Sequence, residues 1–196
     1  MSKVIRVVAV AALVLLVSLP SVAQDKMWAG AGVDIMLPLG TFSDAAGIGF
    51  GGTGRFQYNF MPQVAAGLEV GYIVWTGKTV EGVDLPSFKG LPLRVFGKYY
   101  FMPNPKALRV YGKFALGFFF GSVSEKTYNI EGFQYTTPGG SSTDFSLAPE
   151  VGIELPITKD GRTQFDGSIR YDLIATSGSS TGNIGFRAGV NFAIGK

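Results

Sequence analysis

The chain has 196 residues, 46% of them hydrophobic and 13% aromatic, with 28 glycines, no cysteine and no histidine. Without cysteine there are no disulfides, no lipoprotein processing and no thiol chemistry. Without histidine there are no imidazole metal sites and no Ser–His or His–carboxylate catalysis.

The formal net charge is +3, from 17 basic and 14 acidic residues. Part of that excess belongs to the N-terminus. Lys3 and Arg6 precede an unbroken apolar run from Val7 to Val17, Pro20 ends it, and Ser21-Val22-Ala23 supplies the small residues that signal peptidase needs. Residues 1–23 are therefore expected to be a cleaved secretory signal, the run being short for a helix span of about 20 residues. Its removal takes two bases and no acids, leaving 15 against 14, so the basic balance is no argument for nucleic acid. Residues 24–196 are expected to form one domain.

Along that domain a period of two recurs eight times, and side chains alternate faces along a strand. The first strand, Trp28 to Leu37, sets Ala29, Ala31, Val33, Ile35 and Leu37 against Asp34. The second and third form a long hairpin. Ile48, Phe50, Phe56, Tyr58 and Phe60 oppose Thr53, Arg55, Gln57 and Asn59. After Met61-Pro62-Gln63, Val64, Ala66, Leu68, Val70, Tyr72 and Val74 oppose Glu69. The fourth, Leu91 to Phe101, opposes Leu93, Val95 and Tyr99 to Arg94, Lys98 and Tyr100. The fifth, Leu108 to Phe120, opposes Val110, Phe114, Leu116 and Phe118 to Arg109, Tyr111 and Lys113. The sixth, Asp144 to Ile157, opposes Phe145, Leu147, Val151 and Ile153 to Glu150 and Glu154. Pro149 sits inside it, where a bulge is expected. The seventh opposes Phe165, Ile169, Tyr171 and Leu173 to Asp166, Arg170 and Asp172. The eighth opposes Ile184, Phe186, Val190 and Phe192 to Asn183, Arg187 and Asn191. Strands of about ten alternating residues are the length that crosses a bacterial outer membrane.

Connections alternate in length. Short ones are expected at 61–63, 102–107 and 158–162, the last with an Asp160-Gly161 turn, and longer ones at 38–47, 76–90, 121–143 and 174–182. That alternation predicts an all-β, eight-stranded antiparallel up-and-down transmembrane β-barrel.

Alternation alone does not say which row faces inward. A soluble, lipocalin-like secreted barrel would hide the apolar row, and a membrane barrel would show it to lipid. About forty bulky apolar side chains exceed what an eight-stranded lumen can hold, which favours the membrane arrangement. Turned outward, Tyr58, Phe60, Tyr99 and Phe101 cluster near the short turns, and Tyr72, Phe118, Phe120 and Phe145 near the long loops, as two aromatic girdles. The other row carries seven acids, including Asp144, and seven bases. Charges in a narrow lumen must pair, because an isolated buried ion costs several kcal/mol. An interior ion-pair network is expected from Asp34, Arg55, Glu69, Arg94, Lys98, Lys113, Glu150, Glu154, Asp166, Arg170 and Arg187. Trp28, Ile73, Phe96 and Trp75 are apolar on this polar row and break the pattern.

Pro38-Leu39-Gly40-Thr41-Phe42 after the first strand, Lys98-Tyr99-Tyr100-Phe101 closing the fourth, and Tyr111-Gly112 with Gly117 in the fifth resemble the small outer-membrane β-barrel proteins of the OmpA-transmembrane-domain type. The likeness spans residues 24–196, but its motifs are loose and speak to architecture more than activity. It implies an ion-paired eight-stranded barrel in the Gram-negative outer membrane, in contact with outer-membrane lipids and inserted by the barrel-assembly machinery. The chain departs from the aromatic ending common in that family, since Phe192 is followed by Ala193-Ile194-Gly195-Lys196.

No catalytic, cofactor or metal site is expected. Glu150 and Glu154 have matching bases on the same row, and Gly49-Phe50-Gly51-Gly52 and Gly139-Gly140 lack the lysine and helix of a phosphate loop. In the loop 121–143, Tyr128, Phe133 and Tyr135 are candidate contacts for an extracellular partner. The sequence thus supports a non-enzymatic, monomeric barrel whose structural or surface-interaction role lies in its loops. A narrow channel for small solutes or hydrophobic compounds, and a secreted ligand-binding barrel, are the alternatives.

Overall fold

The computed structural model describes residues 26–80, 83–104, 106–130, 133–176 and 179–194. The expected signal segment, 1–23, lies outside them. Eight long strands close into one barrel in chain order: β1 (Met27–Leu39), β2 (Ala46–Asn59), β3 (Val64–Gly77), β6 (Phe88–Tyr100), β7 (Arg109–Val123), β10 (Gly140–Pro156), β11 (Thr163–Thr176) and β12 (Ser179–Ile194). Each pairs antiparallel with its sequence neighbours, and β1 closes the circle on β12 from Met27↔Ile194 to Leu39↔Gly182. This is the predicted eight-stranded antiparallel barrel.

The two rows separate as lipid and lumen require. Val33 and Val151 on the outer row are 66% and 63% exposed, whereas Glu69 and Asp166 on the inner row are 1% and 0% exposed. A soluble barrel with its grease inside is therefore excluded. Near the short turns the outer rings pair edge-on, Tyr58 with Phe60 at 4.9 Å and Tyr99 with Phe101 at 5.5 Å. That is the geometry aromatic quadrupoles prefer, and these rings sit where a girdle belongs.

Three features differ from the sequence expectation. Pro149 makes no bulge. Leu147↔Leu173 and Glu150↔Arg170 lie in one register on either side of it, and Pro149 itself stands opposite Phe114. A proline lacks only its own N–H, so the ladder loses a bond locally while barrel closure holds the register on both sides. The shift that does occur lies between Ala46 and Gly49.

The expected loops are shorter than their sequence intervals. Within 121–143, β7 runs on to Val123, a hairpin forms from β8 (Lys126–Ile130) and β9 (Phe133–Thr137), and β10 starts at Gly140. Polar strands can continue above the membrane because only pairing, not burial, holds them. Within 76–90, β4 (Thr79–Val80) pairs β5 (Val83–Asp84).

The segment after β1 also departs from a plain loop. Gly40 takes φ +60°, a left-handed conformation that costs glycine little, and the chain turns into the short helix α1 (Phe42–Ala45). At the opposite rim Gly161 does the same at φ +72°, in the predicted Asp160-Gly161 turn. There the Asp160 carboxyl is held below its ordinary range, first by the Thr158 hydroxyl at 2.5 Å and then by the Arg162 N–H at 3.0 Å.

Val95 is 51% exposed near the middle of β6, within the lipid-facing belt. Val95→Arg is expected to destabilise the folded barrel by about 2–4 kcal/mol, read from urea unfolding in lipid bilayers. The same change at Lys159, in the turn outside the belt, should cost almost nothing.

Candidate functional site

The polar row of every long strand meets inside the barrel, and the charges are built into one connected body. At the short-turn end, β10 offers the Glu154 carboxylate. Lys98 (2.8 Å), Asn191 (3.1 Å), Tyr100 (3.2 Å) and Arg109 all donate to it. Arg109 also donates to Gln164 at 2.8 Å and lies 4.0 Å over the Tyr100 ring, so a planar cation is held by both charge and stacking.

The middle layer turns on Arg55. Its guanidinium meets Glu69 at 2.8 Å, Glu150 at 2.8 Å and Asp166 at 3.3 Å, carboxylates supplied by β3, β10 and β11. Lys113 reinforces two of these, at 2.6 Å from Glu69 and 2.7 Å from Glu150. Tyr111 donates between Glu150 (3.0 Å) and Asp166 (2.9 Å). Arg187 reaches the other Asp166 oxygen, the one that Arg55 meets, at 3.1 Å. Above it, Arg94 links Glu69 (3.5 Å) to Asp172 (2.6 Å), and Arg170 links Asp172 (2.8 Å) to Asp34 (3.0 Å). The Thr53 hydroxyl donates to Asp34 at 2.5 Å.

All eleven residues named from the sequence for this network are buried inside the barrel, one or two from each long strand. Asp144 does not join them. It sits half-exposed at the mouth, bonded to Ser142 at 2.7 Å. Among the described residues the buried set is therefore six acids, Asp34, Glu69, Glu150, Glu154, Asp166 and Asp172, facing seven bases. The carboxylates accordingly serve more than one cation each, Asp166 shared by Arg55 and Arg187 and Glu69 by three. Arg109 and Asp172, counted among the seven bases and seven acids of the inward row, join the body, and Tyr100, Tyr111 and Asn191 complete it without having been singled out for it. Their position on the inward parity was the available signal. The side chains of Tyr128, Phe133 and Tyr135 lie outside those described, although Tyr128 and Tyr135 stand opposite each other in the β8–β9 hairpin.

Above the ions the lumen is closed by grease. Met36, Ala46, Ile73, Trp75, Phe119 and Ile174 form a buried cluster, with Phe42 and Phe88 packed on it. Trp75 and Ile73 fit because the strand beside them carries Gly49 and Gly51 directly opposite. There a Cβ would collide with the Trp75 ring at the first and with the Tyr72–Ile73 backbone and the Ile73 side chain at the second. Phe96 is similarly set against Gly67, deeper in the barrel, and packs on Ala115 and Ala148. A hollow of about 420 Å³ opens over this cap toward the long-loop rim.

The sequence matches the outer membrane protein beta-barrel domain family over residues 9–192. The chain belongs to that family. Its place is the outer membrane of a Gram-negative cell. Among solved structures it is similar to Neisserial surface protein A, at 16% identity and TM-score 0.60, covering 86% of this chain and 97% of that one. It is also similar to the outer membrane protein OprG from Pseudomonas aeruginosa, at 14% identity and TM-score 0.56, covering 88% and 98%. The attachment invasion locus protein Ail of Yersinia pestis aligns at 16% identity and TM-score 0.50 over 87% and 100%. At such identities the likeness is one of fold. No sequence among curated proteins matches the chain.

Removing Arg55 leaves three carboxylates facing one another, with Lys113, Arg94 and Arg187 as their remaining ion-pair partners. Arg55→Met is expected to cost about 3–5 kcal/mol, the penalty for breaking a buried pair from one side. Adding Glu150→Gln should recover part of the loss, a coupling that a double-mutant cycle in urea will show.

Proposed function

We propose that this protein is a closed, non-enzymatic barrel whose role, structural or in surface interaction, is exercised at its long-loop, extracellular end. The single observation that carries this reading is the Arg55 guanidinium, held by carboxylates from three other strands. A cation so fixed occupies the axis of a lumen already narrow for side chains. A permeating solute would have to break several buried pairs at once, each backed by a neighbour that shares its carboxylate.

The inward charged groups are paired with one another, and no group of three or more metal-ligating side chains that could hold an ion occurs among the described residues. What stays available to a partner is the outer belt, which meets membrane lipids, and the extended strands and hairpin above it. The chain acts as a monomer, since its lateral faces are a continuous lipid-exposed apolar surface, and it enters the membrane through the barrel-assembly machinery.

Purified mature protein reconstituted in planar bilayers is expected to give no stable conductance steps. Steady single-channel openings in the wild type would overturn the closed-lumen reading and favour a narrow channel. Arg55→Ala combined with Arg94→Ala, if it still folds, is expected to stay closed because the apolar cap still seals the lumen above it. Current should appear only when Trp75→Ala and Phe119→Ala are added. Folding is checked by the mobility difference between boiled and unboiled samples in detergent gels.

A further inference from the structure

The hollow over the apolar cap has a floor and a rim of different chemistry. Its floor is aromatic. Phe42 meets Trp75 at 5.8 Å and Phe88 at 5.2 Å, both edge-on, and Trp75 lies 6.1 Å from Phe119. These rings come from four separate elements, α1, β3, β6 and β7, so the floor exists only when the barrel is closed and α1 is folded into its mouth. Trp75 and Phe119 are buried, whereas Phe42 and Phe88 keep partly open faces toward the hollow. The rim is different in kind. Ser122, Ser142 and Thr181 bring hydroxyls, and Lys89 and Asp144 bring one charge of each sign.

We propose that this mouth binds a small neutral molecule with an aromatic or alicyclic body and one hydroxyl or carbonyl handle. The volume of about 420 Å³ lies in the range of small-molecule sites and suits a body of two fused rings. Apolar lining at the bottom takes the body, and hydroxyls at the top take the handle. With Lys89 and Asp144 offsetting each other, the rim offers no net charge to an ionic ligand. The site is a dead end, because Met36 and Ile73 belong to the cluster that seals it from the ion pairs below, and Arg170 touches the sulfur of Met36 from beneath at 3.4 Å. Binding here extends the proposed surface role and does not depend on whether the lumen conducts.

The chain has two tryptophans, Trp28 at the short-turn end and Trp75 in this floor. Trp28→Phe therefore leaves Trp75 as a reporter inside the site. In this variant, reconstituted in lipid nanodiscs, 2-naphthol is expected to quench Trp75 emission saturably, while 2-naphthalenesulfonate quenches far less. Thr181→Phe, which fills the hollow, and Phe88→Ala, which removes one wall, should each weaken binding by about tenfold or more. Phe118→Ala, on the lipid-facing row, should leave it unchanged. Gel mobility with and without boiling establishes that each variant folds. Quenching that rises linearly without saturation, or that is equal in the filled and unfilled barrels, would overturn the proposal, since it would report partition into lipid. Equal binding of the sulfonate would overturn the neutral-ligand assignment.

Discussion

Everything in this barrel depends on how a narrow cylinder disposes of its charges. An eight-stranded lumen has room for side chains and little else, so each ion placed there loses its water and must find a counter-ion within reach. The protein meets that constraint by sharing. Arg55 touches three carboxylates, Glu69 serves three cations, and Asn191 joins Glu154 to Asp166 with one amide at 3.1 Å from each. A shared ion ties together strands far apart in sequence, as Arg55 on β2 does with Asp166 on β11. The network therefore fixes the barrel's cross-section as well as its charge balance. Outside, lipid asks only for grease, and backbone pairing around a closed circle leaves no edge unsatisfied.

The alternation made the wall of this structure legible before the interior. One residue's parity decides its face, so Asp34, Glu69 and Arg170 could be placed inside from spacing alone. Parity says nothing about height along the axis or about which strand bends a side chain toward which partner. That is why the sequence counted Asp144 among the lumen acids, although it lies above the network, and overlooked Tyr111 as a bridging donor. Pro149 was misjudged for a related reason. A proline in an open sheet often marks a bulge, but a closed barrel constrains the register from both neighbouring strands.

The residues that seemed to violate the pattern turn out to define the layers. Trp75, Ile73 and Phe96 are large and apolar on a polar row, and each stands opposite a glycine on the next strand. Bulk on one strand is matched by its absence on the neighbour, a complementarity visible only once the register is known. The cluster Gly49-Phe50-Gly51-Gly52, read from sequence as tight coiling, is in large part the space that Trp75 and Ile73 occupy.

This layering carries an electrostatic consequence. The cap of Met36, Ile73, Trp75 and Phe119 separates the Asp34–Arg170–Asp172 pairs from the aqueous mouth. Coulomb attraction grows as the surrounding dielectric falls, and so does the cost of leaving any ion unpaired. A lumen capped by grease therefore holds its pairs more firmly than a water-filled one, and tolerates the loss of a partner less well. The same cap presents its upper side to the long-loop mouth as aromatic surface. Sealing the ions and furnishing a floor for an apolar guest are thus two faces of one layer, placed there by Ile73 and Trp75, which broke rank with their strand, and, in the case of Phe42, by the turn at Gly40.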